Sequence, residues 1–270
     1  MKTVPIYQVD VFARKLFAGN PAAVCPLQSW LPEATMQAIA AENNLAETAF
    51  FVKDETGEAD YLLRWFTPTV EIELCGHATL ASGHVLLNEL THPRDDVRFR
   101  TLRAGVLSVT KRDGALWLDL PARMPQPLAS VPEDLLGGLT LLPQSVLATG
   151  NKYFALYDDP ADVAHLKPDM ARLRQLEGMG VVVTAPGRPD HEDFVSRFFA
   201  PAMGVDEDPA TGSAHCLLVP YWAQRLGKRE LHATQLSPRG AVLDCVLDGE
   251  RVRMSGPVRH YLRGEIAVPG

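Results

Sequence analysis

Apolar positions in this 270-residue chain mostly alternate with polar ones in short runs, the spacing of β-strands, and seldom recur at helical spacing. Residues 7–12, 45–52, 61–66, 97–102, 106–111 and 116–120 are rich in β-branched and aromatic side chains and are bounded by turn formers, so they are predicted as strands. Residues 153–157, 181–184, 194–199, 241–246 and 251–254 repeat the pattern, and 258–268 read as a closing strand. A helix is expected at 32–42, stopped by Asn43-Asn44, and an amphipathic surface helix at 168–176. Two segments differ: 77–88 and 213–224 contain no Asp, Glu, Lys or Arg and are apolar on nearly every side. A helix apolar all round is a buried one. The pattern therefore implies an α+β protein in which a curled sheet surrounds one central helix in each half. Pro220 predicts that the second central helix is kinked or shorter than the first.

The two halves also share residues. Arg64-Trp65-Phe66-Thr67-Pro68 leads into Cys75-Gly76-His77-Ala78, and Arg197-Phe198-Phe199-Ala200-Pro201 leads into Thr211-Gly212-Ser213-Ala214. Gly19-Asn20 recurs as Gly150-Asn151. Matches in the same order, about half a chain apart, point to an internal duplication. Prolines 121, 125, 127 and 132 mark a linker, which divides the chain into 1–120 and 121–257, with 258–270 returning to complete the first sheet.

Composition narrows the function. A net charge of −7 without a Lys/Arg cluster speaks against nucleic acid. The first residues hold no signal-like apolar run, and the longer apolar stretches are broken by Gly, Pro or Gln, so no membrane segment is expected. Cys25, Cys75, Cys216 and Cys245 are scattered, as suits reduced thiols in a cytoplasm. There is no GxSxG, Walker A or GxGxxG pattern. The eight histidines give no HxxxH or HExxH spacing, so no metal site is expected.

Three elements carry candidate chemistry. Glu47 lies in a segment apolar on both strand faces, where an unpaired carboxylate costs several kcal/mol. Such surroundings favour the protonated acid that proton transfer needs, unless Glu47 pairs with a cation such as Arg64. Gly76 and Gly212 each open a central helix, whose free N–H groups and dipole suit an anion, although a glycine there also serves tight packing. His77 would sit in the first turn, where the dipole favours the neutral ring. Asp208-Pro209 reads as a helix cap followed by proline, but Asp206, Glu207 and Asp208 are more carboxylates than one cap needs.

The full set resembles the phenazine-biosynthesis PhzF-like family, related in fold to diaminopimelate epimerase. It comprises Asp10-Val11-Phe12 with Gly19-Asn20-Pro21-Ala22, Leu45-Ala46-Glu47-Thr48-Ala49-Phe50, Phe66-Thr67-Pro68, Cys75-Gly76-His77-Ala78-Thr79 and Glu207-Asp208-Pro209-Ala210-Thr211-Gly212-Ser213-Ala214. The resemblance implies two similar halves with a site between them, a homodimer and an isomerase without cofactor. It implies that Glu47 shuttles a proton, that His77 and Asp208 assist, and that Asn20, Cys75, Gly76, Thr211, Gly212 and Ser213 bind a small carboxylate substrate. Two departures matter. Related epimerases pair one cysteine from each half, but the counterpart of Cys75 here is Thr211; Ala46 stands where the family often has a hydroxyl. An isomerase using Glu47 is the reading adopted, with a Cys75-based racemase or epimerase and a non-catalytic carboxylate-binding protein as alternatives.

Overall fold

The structure, a computed structural model, describes residues 2–90, 92–150, 152–178 and 180–269. The chain forms two compact units, Met1–Asp119 with Met254–Gly270, and Leu120–Arg253. The first contains β1 (Lys2–Val11), β2 (Asn20–Pro26), α1 (Glu33–Asn43), β3 (Glu47–Lys53), β4 (Tyr61–Phe66), β5 (Glu71–Ile72), α2 (Gly76–His84), β6 (Asp96–Thr101) and β7 (Val106–Arg112), and β8 (Ala115–Pro121) leads out of it. The second contains β9 (Gln126–Pro127), α3 (Glu133–Gly138), β10 (Ser145–Thr149), β11 (Lys152–Leu156), α4 (Pro160–His165), α5 (Met170–Leu173), β12 (Gly180–Pro186), β13 (Phe194–Ala200), β14 (Val205–Glu207), α6 (Gly212–Leu226), β15 (Glu230–Gln235) and β16 (Ala241–Asp248). Then β17 (Arg251–Ser255) leads back, and β18 (Val258–Val268) lies antiparallel to β1. Among the described residues, no helix is long and apolar enough to cross a membrane.

The units repeat one order of pairing. In the first, β1 is antiparallel to β2, β2 parallel to β3, β3 antiparallel to β4, β4 parallel to β6 and β6 antiparallel to β7. In the second, β10 through β13, then β15 and β16, follow that order. In each, one parallel crossover carries the central helix: α2 between β4 and β6, and α6 between β13 and β15. Each sheet is curled around that helix. In the first unit, Ala23, Cys25 and Phe50 pack with Met36 and Ala40 of α1 on one face. Ala22, Val24 and Ala49 on the alternate positions are also fully buried, and α2 packs on β1, β2, β3 and β7. Both faces being covered explains why these strands read as nearly continuous apolar runs.

Several expectations need correction. The second central helix is not the shorter one: α6 runs 15 residues with Pro220 inside it. Proline cannot donate to the carbonyl four residues back, and that carbonyl, Cys216 O, accepts instead from the Arg123 backbone N–H at 2.8 Å. The helix thus tolerates Pro220 because its orphaned acceptor is used by the proline-rich segment 121–132. That segment is itself structured, holding β9. The helix expected at 168–176 shrinks to α5, four residues started by the Asp169 side chain, with α4 before it started by Asp159. The helix expected at 77–88 is α-helical only to His84 and continues as a π-helical turn, Val85–Glu89. Of the second Gly-Asn echo, Asn151 lies outside the described residues.

Gly83 shows how closely α2 meets the sheet. A Cβ built there would lie 2.5 Å from Cγ1 and 2.8 Å from Cβ of Val109, a fully buried residue of β7. Alanine has the better helix propensity by about 1 kcal/mol, but overpacking a rigid core costs about 1–3 kcal/mol. Gly83→Ala should therefore lower the melting temperature, and adding Val109→Ala should recover part of the loss. A Gly83→Ala protein that melts higher than the parent would contradict this packing.

Candidate active site

The first unit gathers four predicted residues on three elements. Gly19 turns the chain between β1 and β2 at φ +63, with Val11 O only 2.1 Å from where a Cβ would stand, so only glycine fits. The turn delivers buried Asn20 to the head of β2, paired across from Val11, with its Nδ2 3.2 Å from His77 Nδ1. Glu47 opens β3 beside Ala22 of β2. Cys75 precedes α2 in extended conformation, and no side chain caps that helix start. His77, in the first turn, is buried, with Cys75 Sγ 3.5 Å from its Nδ1 and Glu47 Oε2 3.0 Å from its Nε2. The Nε2 contact is close but not aligned as a hydrogen bond, as is common for catalytic pairs without substrate. Glu47 keeps 16% of its side chain exposed, so a ligand can reach it.

These contacts decide the charge on the ring. Burial, the largest effect, disfavours the imidazolium, but Cys75 and Glu47 outweigh it and hold the His77 pKa well above 6.5. The Cys75 thiol is itself pushed up to about 11, by burial first and by Glu47 second. The helix start alone would favour the neutral ring expected from the sequence; a carboxylate at 3.0 Å in a buried site is the stronger influence. Donor atoms of Glu47, Cys75 and His77 lie within 4.8 Å of one another and could gather on an ion. The imidazole, however, spends one nitrogen on each neighbour and links them in series.

Arg64 is not the partner of Glu47. It grips Glu71 with two bonds of 2.7 and 2.6 Å, reaches Glu33 at 2.7 Å, and stacks over Phe66. In the second unit Arg197 grips Glu207 at 2.7 and 2.9 Å and stacks over Phe199. The shared Arg-x-Phe element is thus an anchor for β4 and β13, made by a bidentate fork.

The second unit gathers the other candidates. Its helix α6 begins at Gly212, and the extended residue before it is Thr211, not Asp208. Asp208 instead accepts from the Thr211 hydroxyl at 2.5 Å, while Asp206 pairs with Arg174 and Glu207 with Arg197. Each of the three adjacent carboxylates therefore has its own partner. As in α2, no side chain caps the helix start. Gln235, fully buried on β15, was not legible as a site residue. Its Oε1 accepts from Thr211 N at 2.9 Å and its Nε2 donates to Asp208 O at 2.7 Å. Ser237 donates to Pro209 O at 2.8 Å. These two side chains clamp the turn 208–211, and nothing in the spacing of a strand glutamine signals it.

The order of these residues decides the family, and a family model described as phenazine biosynthesis-like protein matches residues 9–264. The chain belongs to that family. An isomerase of Pseudomonas aeruginosa, described as uncharacterized, is 51% identical over 261 residues, covering 97% of this chain and 98% of the relative. A crystal structure of a PhzF-family phenazine biosynthesis protein from Enterococcus faecalis is 43% identical, with TM-score 0.91, covering 98% of this chain and all of that one. A hydroxyproline epimerase from Agrobacterium vitis, 14% identical with TM-score 0.62 over 98% of this chain and 91% of its own, shares the fold. With these relatives, the chain is an isomerase.

The raised His77 pKa gives a pH signature. The folded chain holds a proton that the unfolded chain releases near pH 6.5, so this stabilisation is full below that pH and is lost as pH rises through the folded value. The gap in urea midpoint between the parent and His77→Asn should be wider at pH 6 than at pH 9. An equal gap at both would show the ring to be neutral when folded.

Proposed function

We propose that this isomerase moves a proton between two carbons of a small carboxylate substrate, with Glu47 as its one acid/base. The observation that carries the reading is the 3.0 Å contact of a reachable Glu47 carboxylate with the buried His77 ring. Glu47 takes a proton from carbon. Once Glu47 is protonated, it loses its attraction to His77, which favours giving the proton back at a second carbon. The uncapped N–H groups at Gly76 and His77 would hold the substrate carboxylate and the charge that develops. Asn20 and Cys75 set the ring of His77, and Asp208 sets the hydroxyl of Thr211. A Cys75 mechanism is disfavoured, because the thiol stays protonated near neutral pH and Thr211 supplies no second thiol. No cofactor takes part in this scheme.

Carboxylates deuterated at the carbon beside the carboxyl group would test it by NMR. The label should reappear at another carbon, and Glu47→Gln should lower turnover by about 10²–10⁴, the usual share of general acid/base catalysis. Exchange of solvent deuterium with inversion at one carbon would indicate an epimerase instead, and saturable binding without exchange a binding protein. A folded, fully active Glu47→Gln enzyme would sink the assignment.

The same reading includes a homodimer. Leu16, Phe17, Tyr261 and Leu262 of the first unit are exposed, Phe17 by 67%, and Phe17 meets the Tyr261 ring edge-on at 5.6 Å. A second copy would cover this apolar surface. Light scattering should give twice the chain mass, falling toward one in Phe17→Ser/Tyr261→Ser; a monomeric parent would refute it.

A further inference from the structure

A second cluster of donor atoms lies in the first unit, on residues that the proton-transfer scheme does not use. His84 closes α2, Glu89 closes the π-helical turn, and His260 comes from β18. Their ligand atoms all lie within 4.8 Å of one another. Glu89 Oε1 is 3.3 Å from His260 Nδ1 and 3.7 Å from His84 Nε2. Both ring nitrogens are buried and neither has a hydrogen-bond partner. Leaving two buried imidazole nitrogens unmet costs desolvation that a fold does not ordinarily retain.

The π-helical turn is what brings Glu89 in. In an α-helix of 3.6 residues per turn, a residue five positions on lies about 140° around the axis, on a different face. A turn closed by i→i+5 bonding, here Leu90 N to Val85 O at 2.9 Å, brings such residues back toward one side. The spacing is that of a coordination shell. Donors bound to one tetrahedral ion at about 2.0–2.2 Å stand about 3.3–3.6 Å apart, close to both measured contacts. A carboxylate placed to neutralise part of the ion's charge, with neutral imidazoles beside it, is a donor set for a first-row divalent metal.

We infer that His84, Glu89 and His260 form a binding site for a divalent transition-metal ion such as Zn²⁺, which would tie the last strand of the chain to the end of the central helix. His260 and Glu89 remain 28% and 26% exposed, which leaves a path for the ion and room for a water as fourth ligand. One neighbour works against loading. Lys111 donates to Asn88 Oδ1 at 2.9 Å, and Asn88 Nδ2 lies 3.0 Å from His84 Nδ1. A His84 that binds metal through Nε2 carries its proton on Nδ1, so Asn88 must turn its oxygen to the ring and release Lys111. Asn88→Asp would offer that acceptor without turning and should tighten binding, by about tenfold or more for such an outer partner.

Chelator-treated protein titrated with Zn²⁺ alone by calorimetry should take up one ion per chain, and Co²⁺ should give the visible bands of a tetrahedral site. His260→Ala should weaken Zn²⁺ binding at least tenfold and abolish the rise in melting temperature that Zn²⁺ gives the parent. Should His260→Ala fail to fold, Glu89→Gln serves in its place. Cys75→Ser should leave the stoichiometry intact. Absence of stoichiometric uptake by the parent would overturn the site. So would uptake that is lost in Cys75→Ser and kept in His260→Ala, because the ion would then belong to Glu47, Cys75 and His77.

Discussion

A buried imidazole held between a carboxylate and a thiol is the arrangement to which the other features of the first unit are fitted. Charging His77 inside the protein requires an anion at contact distance, and Glu47 at 3.0 Å supplies it. That contact places β3 against the first turn of α2, so the register of β2 with β3 and the start of the helix must agree. Gly19 serves the same end from the other side, since only a residue without Cβ lets the turn bring Asn20 to the ring. The sulfur of Cys75, 3.5 Å from Nδ1, completes the shell.

What recurs between the units is mechanical support rather than chemistry. The Arg–Glu fork and its stacked phenylalanine occur in both, on strands that precede the central helices. Both central helices begin at a glycine with no side chain over their first N–H groups. At the matched positions the side chains diverge: Cys75 and His77 in one, Thr211 and Ser213 in the other. A repeated scaffold thus carries two different surrounds for the same kind of helix start, one built on an imidazole, a thiol and a carboxylate, the other on hydroxyls and the Asp208 carboxylate.

The features legible in the sequence were those with a local cause. Charge-free stretches marked the two central helices because burial on all sides leaves no position for an ion, and Gly76 and Gly212 marked their starts. Glu47 stood out because its strand neighbours are apolar on both faces. What escaped depends on contacts between distant segments. Asp208-Pro209 looks like a helix start, yet the helix waits until Gly212, because Gln235 and Ser237 clamp the intervening turn. Pro220 looks like a break, yet Arg123 takes up the carbonyl it strands. The His84, Glu89 and His260 cluster follows no motif, since a π-helical turn supplies one spacing and strand pairing the other.

The replacement of a second thiol by Thr211 constrains the chemistry further. Two acid/base groups on opposite sides of a carbon invert it, because one removes a proton as the other delivers a different one. With Thr211 at the position matched to Cys75, this scheme assigns no second acid/base group. A proton taken by Glu47 must then leave from Glu47, to the same face of the substrate, and retention of the original hydrogen competes only with exchange to solvent. The proposed scheme is therefore a hydrogen shift rather than an inversion, with both carbons in reach of one carboxylate.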